Sequence, residues 1–520
     1  MNRKWINITY ILFFALFLRL LFFVGFALGD DPNYADRVYA IIEGHYPSLC
    51  KTCVFAFRPI LLFFTALPLK YFGWSEFTFI LPVLLSSLIS IYLIYALGKL
   101  LFDQRTGLLA AFCLAISPLN IVHATTMSND IMLSMLMALS ILLFLKGLEV
   151  HGKKTVVYLT LSGFVLGVSV GVKINALPVV GLFILIALLN RWQKKEFRYE
   201  VVFFLLSWLI VQALFSIVYY IKTGDFLAHV HAEINFDKEY NPSSFINKTC
   251  YLKDALLYYP KHMLCIVSEG HPGYTFYPYG FFYPVFLLAI VFFLFRREKK
   301  VVIPLIWFSY LFLMMEFTPL KLSPYYQPIH RLIRFLSIVS IPALLVTAYF
   351  FKKLFEGRIL AKLVFLLLII GLFVTSLHQA YRKSYFYRDC MSDGRKAYDL
   401  IKHMPCKQVI TDWEMKKVLL FYRKLDNNKI KVKSFERDRI QFLDGSIVIL
   451  GGARRPDIYP GYPTEFVKST PPKSNWVEIY QVKGKEEMWR ERNLVIYKIV
   501  SKRKGLYERQ MGKKDRMVLM

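Results

Sequence analysis

One feature restricts this chain more than any other. Apolar runs of about seventeen residues or more recur from Trp5 to residue 378. They lie at 5–28, 75–102, 106–125, 129–148, 155–172, 174–191, 200–222, 276–295, 301–318, 335–354 and 359–378. In a bilayer such runs satisfy their backbone groups only as helices or as a closed barrel. At this length they predict a polytopic α-helical membrane protein with about eleven transmembrane helices. The segment 57–73 is shorter and broken by Pro59 and Pro68, so it reads as re-entrant or interfacial. The first run is too long and too aromatic for a cleaved signal peptide and has no A-x-A site after it, so it reads as a true span.

Composition agrees. The chain is 56% hydrophobic yet carries a formal charge of +29, so its charges must be segregated from the runs. A basic chain invites a nucleic-acid reading, but no basic helix, zinc pattern or stacking motif accompanies the charge. Basic cytoplasmic loops plus a basic tail at an anionic membrane surface account for it. With the N-terminus cytoplasmic, the connections Arg3-Lys4, Lys99–Arg105, Lys146–Lys154, Arg191–Arg198, Arg296–Lys300 and Lys352–Lys362 all fall inside, as the positive-inside rule requires. The opposite face then receives Asp30, Asp31, Asp36, Glu43, Asp130 and the long loop 223–275. An odd number of spans puts the tail on that outer side too.

The chain therefore divides into a membrane domain, 1–378, a soluble extracytoplasmic domain, 379–505, and a charged tail, 506–520, expected to be disordered. In the second, DGRKAYDLIKHM and MKKVLLFYRKL look helical, and QVITD, SIVILGG and NLVIYKIV look like strands, which suggests a small α/β domain. Gly451-Gly452 reads as a turn, since no phosphate-loop pattern surrounds it. Asn247-Lys248-Thr249 is a sequon only in a host that glycosylates there. Gly163, Gly167 and Gly171 recur every four residues, a seam for close helix approach. Six cysteines fall outside the spans in close pairs: Cys50/Cys53, Cys250/Cys265 and Cys390/Cys406. They suit disulfides in an oxidising compartment, with connectivity open; the CKTC motif could instead bind metal or act as a redox pair.

The residues that could carry chemistry gather on the outer face. Asp31 precedes Pro32 and an amphipathic run, so it reads as a helix N-cap. That leaves Asp30 without a structural task, at the lip of the first span, where a carboxylate can act as a general base. Asp130, in TMSND, could merely favour a helix N-terminus; facing the same side as Asp30, it becomes a partner that binds a metal or positions an acceptor. Arg58, Lys173, Arg331 and Arg334 could each snorkel to the interface. Together beside two acids they suggest an anionic group such as a lipid phosphate. His229, His231 and Glu233 share a face only if extended, and read as solvated or substrate-contacting rather than as a metal site. The Tyr- and Pro-rich stretches 272–284 and 324–328 suit an interfacial belt or a sugar-stacking platform equally well.

The order of these pieces resembles the C-type (GT-C) membrane glycosyltransferases, in particular the dolichyl-phosphate-mannose–protein mannosyltransferase-like group with its aminoarabinose and lipopolysaccharide-core sugar transferase relatives. The resemblance rests on DDPNYADRVYAIIEGHYP, on the stretch from RPILLFF to TTMSND, on GVKINALPVVGLFILIAL and on IHRLIRFLSIVSIPALLV. It implies a GT-C-like membrane fold. It also implies inverting transfer of a sugar from a polyprenyl-phosphate donor to a hydroxyl of a glycan, lipid or protein, on the outer face of the plasma membrane. By the match, Asp30 is the catalytic base and Asp130 the second acid. Arg58 and Lys173 contact the donor phosphate, with Asp31, Arg331 and Arg334 also at the substrate. No cofactor is singled out, and a divalent metal stays open. The chain departs from the pattern in Asp30-Asp31, where Asp-Glu is usual, in Pro59-Ile60, where Pro-Pro is usual, and in the Cys50/Cys53 insert. No WWDYG-like motif is present, which argues against an oligosaccharyltransferase. Two rivals remain: a flippase for lipid-linked sugars, which would need a charged path across the bilayer, and a membrane anchor whose outer domain binds the acceptor.

Overall fold

A computed structural model describes residues 3–27, 29–194, 199–240, 257–266, 269–271, 274–277, 279–321, 327–328, 331–426, 430–434, 443–450, 476–483 and 493–499. The chain forms two compact units. The first is Met1–Phe26, Asn33–Gly270 and Thr275–Tyr385; the second is Ala27–Pro32, His271–Tyr274 and Phe386–Met520. Residues 247–249, 451–452 and 506–520, on which the sequon, the glycine turn and the tail fall, lie outside the described residues.

The first unit is helical. Its helices are α1 Arg3–Leu21, α2 Asp31–Ile42, α3 Pro59–Phe72, α4 Glu76–Leu101, α5 Gln104–Ile116, α6 Pro118–His123, α7 Asn129–Glu149, α8 Lys153–Val170, α9 Val180–Lys194 and α10 Val201–Thr223. There follow α11 Ala228–Tyr240, α12 Tyr258–Met263, α13 Phe282–Arg296, α14 Val302–Phe317, α15 Leu336–Phe355 and α16 Ile359–Ile401, with α2 and α16 shared between the units. Among the described residues eight segments are long and apolar enough to cross a membrane: α4, α7, α8, Ile174–Arg191, α10, Lys299–Phe317, Ile333–Phe355 and α16. The apolar helices Ile8–Leu21, Gln104–Ile116 and Phe282–Arg296 are shorter than that, although they fall on expected spans. Pro59–Phe72 is the helical part of the expected re-entrant segment.

Local signals explain the helix boundaries. Ser75 and Thr78 form a capping box that starts α4. Asp103 caps α5 by accepting the Thr106 N–H. Between them the hairpin is tight, since a Cβ on Gly98 would lie 2.7 Å from the Gly107 Cα. α15 forms the centre, with 94% of its apolar window buried, whereas α10 presents Leu206, Ile210, Leu214 and Ile221 outward, as a lipid-facing helix does. The glycine seam is real. A Cβ on Gly163 would fall 2.1 Å from the Phe204 carbonyl oxygen, and one on Gly167 would fall 2.7 Å from Val211 Cβ, so α8 and α10 meet backbone to backbone.

The connections 99–105 and 352–362, expected on one face, do meet. Lys352 Nζ lies 2.6 Å from Asp103 Oδ2, and Arg105 lies 3.9 Å from Glu356.

The second unit is built on a five-stranded mixed sheet. Its strands are β1 Gln408–Thr411, β2 Lys431–Ser434, β3 Ile447–Leu450, β4 Trp476–Lys483 and β5 Asn493–Ile499, in the order β2-β1-β3-β5-β4. β1 runs parallel to β2 and β3, and β5 runs antiparallel to β3 and β4. Ile410, Val448, Leu450 and Ile499 form its core. α17, Trp413–Leu425, is capped by Asp412, which accepts the Met415 N–H. A Cβ on Gly394 would lie 2.9 Å from Val418, so α17 packs closely on the end of α16.

Two expectations need correction. The helix expected at 393–404 is not separate: α16 runs unbroken from Ile359 through residue 379 to Ile401. Of the cysteine pairs, Cys50 and Cys53 are joined, but Cys265, Cys390 and Cys406 are not in disulfides, nor is Cys113. Cys250 lies outside the described residues.

Candidate functional site

In the first unit the candidate residues sit where helices break. Arg58 separates the 3-10 turn Val54–Phe57 from α3, and the adjoining Ile60 N–H donates to the carbonyl of Gly171 at 3.2 Å. That bond ties the Arg58 junction to the end of α8, just before Lys173. Lys173 is extended, between α8 and the 3-10 turn Ile174–Val179. Asp130 stands in the first turn of α7, and Arg334 in the 3-10 turn Ile333–Phe335 that leads into α15.

The centre is a buried ion cluster. Lys173 Nζ donates to Asp130 Oδ1 at 2.7 Å, and Arg334 Nε lies 3.5 Å from Asp130 Oδ2. The Lys173 ammonium also rests 3.5 Å from the centre of the Phe335 ring. Burial pulls the Lys173 ammonium below the ordinary lysine range; Asp130 opposes that, while the positive charges of Arg334 and Arg58 add to it. Lys173 thus sits beside a fully buried carboxylate and within reach of the charges of two further cations.

Arg58 is buried and donates to the hydroxyl of Tyr34, a fully buried residue of α2. Its guanidinium lies over the rings of Phe55 at 5.1 Å and Tyr34 at 5.6 Å, and 3.8 Å from Glu233 of α11. α11 is a helix, so the HVHAE residues part company. His229 packs on Tyr219 with ring centres 5.2 Å apart, His231 pairs with Asp225 at 2.6 Å, and Glu233 reaches Arg58. No cluster of three His, Cys, Asp or Glu able to hold a metal exists among the described residues.

Arg331 has a different neighbourhood. It lies 3.5 Å from Glu316 and donates to the Glu316 carbonyl at 2.7 Å. The Glu316 carboxylate accepts the N–H groups of Tyr258 and Tyr259 and so caps α12. The pair fastens the long loop to α14. Likewise the buried Tyr279 and Tyr283 hydroxyls donate to the carbonyls of Ile333 and Leu336, so these tyrosines brace the start of α15 rather than form an open stacking platform. The side chains of 324–328 lie outside the described residues.

Asp30 and Asp31 belong to the second unit. Asp30 is half-buried. Asp31 is buried in the first turn of α2, and its carboxylate accepts the N–H of Ala27, tying down the turn before the helix. The sequence suggested a cap at the start of the helix; this bond of the carboxylate reaches backward, to Ala27. The chain leading into this turn is held within the first unit. Gly25 and Val24 donate to the carbonyl and hydroxyl of Thr125, and Phe26 donates to Glu76 at 3.0 Å. Gly25 has φ +82°, and a Cβ there would strike Glu76, so only glycine fits.

The sequence also concealed Arg19. It is fully buried in α1, and donates to Ser87, Asn120 and the carbonyls of Ala15 and Ala115. No run of charge marks it, and its partners are all neutral.

Comparison with known proteins accords with this architecture. Residues 58–220 match the family model described as dolichyl-phosphate-mannose-protein mannosyltransferase. The fold is similar to that of ArnT from Cupriavidus metallidurans bound to undecaprenyl phosphate, at TM-score 0.59 and 12% identity, over 96% of this chain and 99% of that one. The apo state of that protein gives 0.55, 12%, 94% and 97%. The apo Archaeoglobus fulgidus oligosaccharyltransferase gives 0.52 at 12% identity, over 83% of this chain; the chain spans 64% of that protein's length. No curated protein matches the sequence. The fold is therefore the GT-C membrane fold with a small C-terminal sheet domain.

Proposed function

Starting from a chain of GT-C fold whose residues 58–220 match a mannosyltransferase family model, we propose that it is a glycosyltransferase. It moves a sugar from a polyprenyl-phosphate donor to a hydroxyl of a glycan, lipid or protein, on the extracytoplasmic face of the plasma membrane and with inversion. The observation that carries this reading is the gathering of Lys173 and Arg334 on buried Asp130 at a set of helix breaks, with the charge of Arg58 acting on Lys173. A buried group of cations with fewer acids is suited to a phosphate. That the similar ArnT structure is described as bound to undecaprenyl phosphate supports a lipid phosphate as the ligand.

The donor phosphate lies against Arg58 and Lys173. Asp30 takes the proton of the acceptor hydroxyl as that oxygen attacks the anomeric carbon. The bond from that carbon to the phosphate oxygen breaks through an oxocarbenium-like state. Its electron pair leaves on the polyprenyl phosphate, where the cations stabilise it. Asp130 holds Lys173 and Arg334 in place. The N-terminus is cytoplasmic, and the second unit is extracytoplasmic and meets the acceptor.

The test is Asp30→Asn, assayed with labelled lipid-linked sugar. Transfer should be abolished while the protein remains inserted and folded. Full transfer by this variant would remove Asp30 as the base.

A further inference from the structure

Three consecutive side chains at the start of α7 keep buried polar atoms without a hydrogen bond. Ser128, Asn129 and Asp130 are 3%, 2% and 0% exposed. Ser128 stands at the N-cap with extended backbone, yet its hydroxyl makes no capping bond. Ser128 Oγ, Asn129 Nδ2 and Asp130 Oδ2 each lack a hydrogen-bond partner among the described residues, Asp130 Oδ2 having only the 3.5 Å ion-pair contact with Arg334 Nε. Buried polar atoms in folded proteins nearly all have partners, and those without one point to a water, an ion or a ligand. Here three fall in one turn, at the positive end of a 21-residue helix, beside the Lys173–Asp130 contact.

The three atoms differ in what they need. The Ser128 hydroxyl gives and takes, the Asn129 amide nitrogen gives, and the Asp130 oxygen takes. Lys173 binds Asp130 through Oδ1, which fixes the direction of Oδ2. An inorganic anion would suit Ser128 and Asn129 but be repelled by Asp130. A metal cation would be repelled by the amide donor, and no metal-ligating cluster exists among the described residues. Adjacent hydroxyls on a neutral ring satisfy the whole set, one accepting from Asn129 while its neighbour donates to Asp130.

We propose that the Ser128–Asn129–Asp130 turn binds the hydroxylated sugar ring of the donor. The inference rests on the reading of the substrate as a polyprenyl-phosphate sugar. The turn then sorts donors by their hydroxyl pattern, while Arg58 and Lys173 hold the phosphate that all of them share.

The experiment measures binding of undecaprenyl phosphate and of undecaprenyl-phosphate mannose to the full chain in nanodiscs, by competition with a labelled lipid. Asn129→Ala should weaken the sugar-bearing lipid about tenfold, the value of roughly one good hydrogen bond, and leave the sugar-free lipid unchanged. Unchanged binding of the sugar-free lipid also shows that the variant is folded. Asn129→Asp keeps the shape but turns a donor into an acceptor, and should discriminate in the same way; Ser128→Ala should do so more weakly. Equal losses for both lipids, or no loss, would overturn the inference, as would be seen were the turn filled by water alone. If wild-type protein binds neither lipid, or if Arg58→Ala leaves binding of the sugar-free lipid intact, the donor reading itself fails and the inference with it. If Arg58→Ala abolishes lipid binding while Asn129→Ala does not discriminate, only the inference fails.

Discussion

Asp130 is the residue whose environment is most demanding. It is fully buried, and Lys173, 2.7 Å away, is nearly so. Removing one member of such a pair leaves the other charge in a poorly solvated site, which typically costs about 3–5 kcal/mol. Lys173→Met should therefore destabilise the protein by that order, read as a lowered unfolding midpoint in detergent. Combining it with Asp130→Asn should recover part of the loss, because both charges are then gone. Donor binding should not recover. A fully stable single variant would mean that the pair is not what holds these helix breaks together. The acids and bases here were legible in sequence as an excess of charge on one face. Their pairing was not, because Asp130 and Lys173 lie 43 positions apart. Asp31 shows the same limit at short range: its position before Pro32 was visible, but not that its carboxylate bonds back to Ala27.

Among the elements, the seam between α8 and α10 is the contact most open to a direct test. Gly163→Leu cannot be accommodated by rotating a side chain, because the clash is with the Phe204 carbonyl oxygen of the facing backbone. The helices must separate, losing packing along Gly167 and Val211 as well. Overpacking of this kind costs about 1–3 kcal/mol or more. The expected outcome is a lower unfolding midpoint than for Leu161→Ala, a control on a lipid-facing residue of the same helix. The four-residue spacing made this seam readable, since helices approach closely only where side chains are small. Other elements were harder. The strands β1, β3 and β5 that the sequence revealed occupy the middle of the sheet, and β1 and β3 are buried at every position. The two it did not reveal, β2 and β4, are the edges. Edge strands carry charge, here Lys431 and Lys433 in β2 and Glu478 and Lys483 in β4, which blurs the apolar signal. The apolar window likewise ended near residue 378 while α16 continued, because polar sequence sustains a helix as readily as apolar sequence does.

At the scale of the whole molecule, charge asymmetry is the most extended pattern in the sequence and gives the widest prediction. Residues 379–520 carry part of the +29; within residues 1–378 the excess of positive charge gathers in the short connections between spans. Two of them, 99–105 and 352–362, join in one ion network through Asp103, Lys352, Arg105 and Glu356. The site residues Arg58, Lys173 and Arg334 are associated with other breaks in the chain. The cations of the two groups are thus held in different ways. Connection lysines and arginines are largely solvated, as cations expected at an anionic inner leaflet would be, whereas the site cations are mostly buried and fixed by acids and rings. Only the first kind is expected to set orientation. Reporter fusions should show this. Green fluorescent protein joined after residue 152 or residue 298 should fluoresce, and alkaline phosphatase joined after residue 224 should be active, because the former points are expected inside and the latter outside. Replacing Lys146, Lys153 and Lys154 together by glutamine should weaken or invert the local orientation, while Lys173→Gln should leave it unchanged. The reverse result, with orientation lost on changing Lys173 alone, would mean that the buried cation serves topology, and it would remove the reason for assigning it to a phosphate.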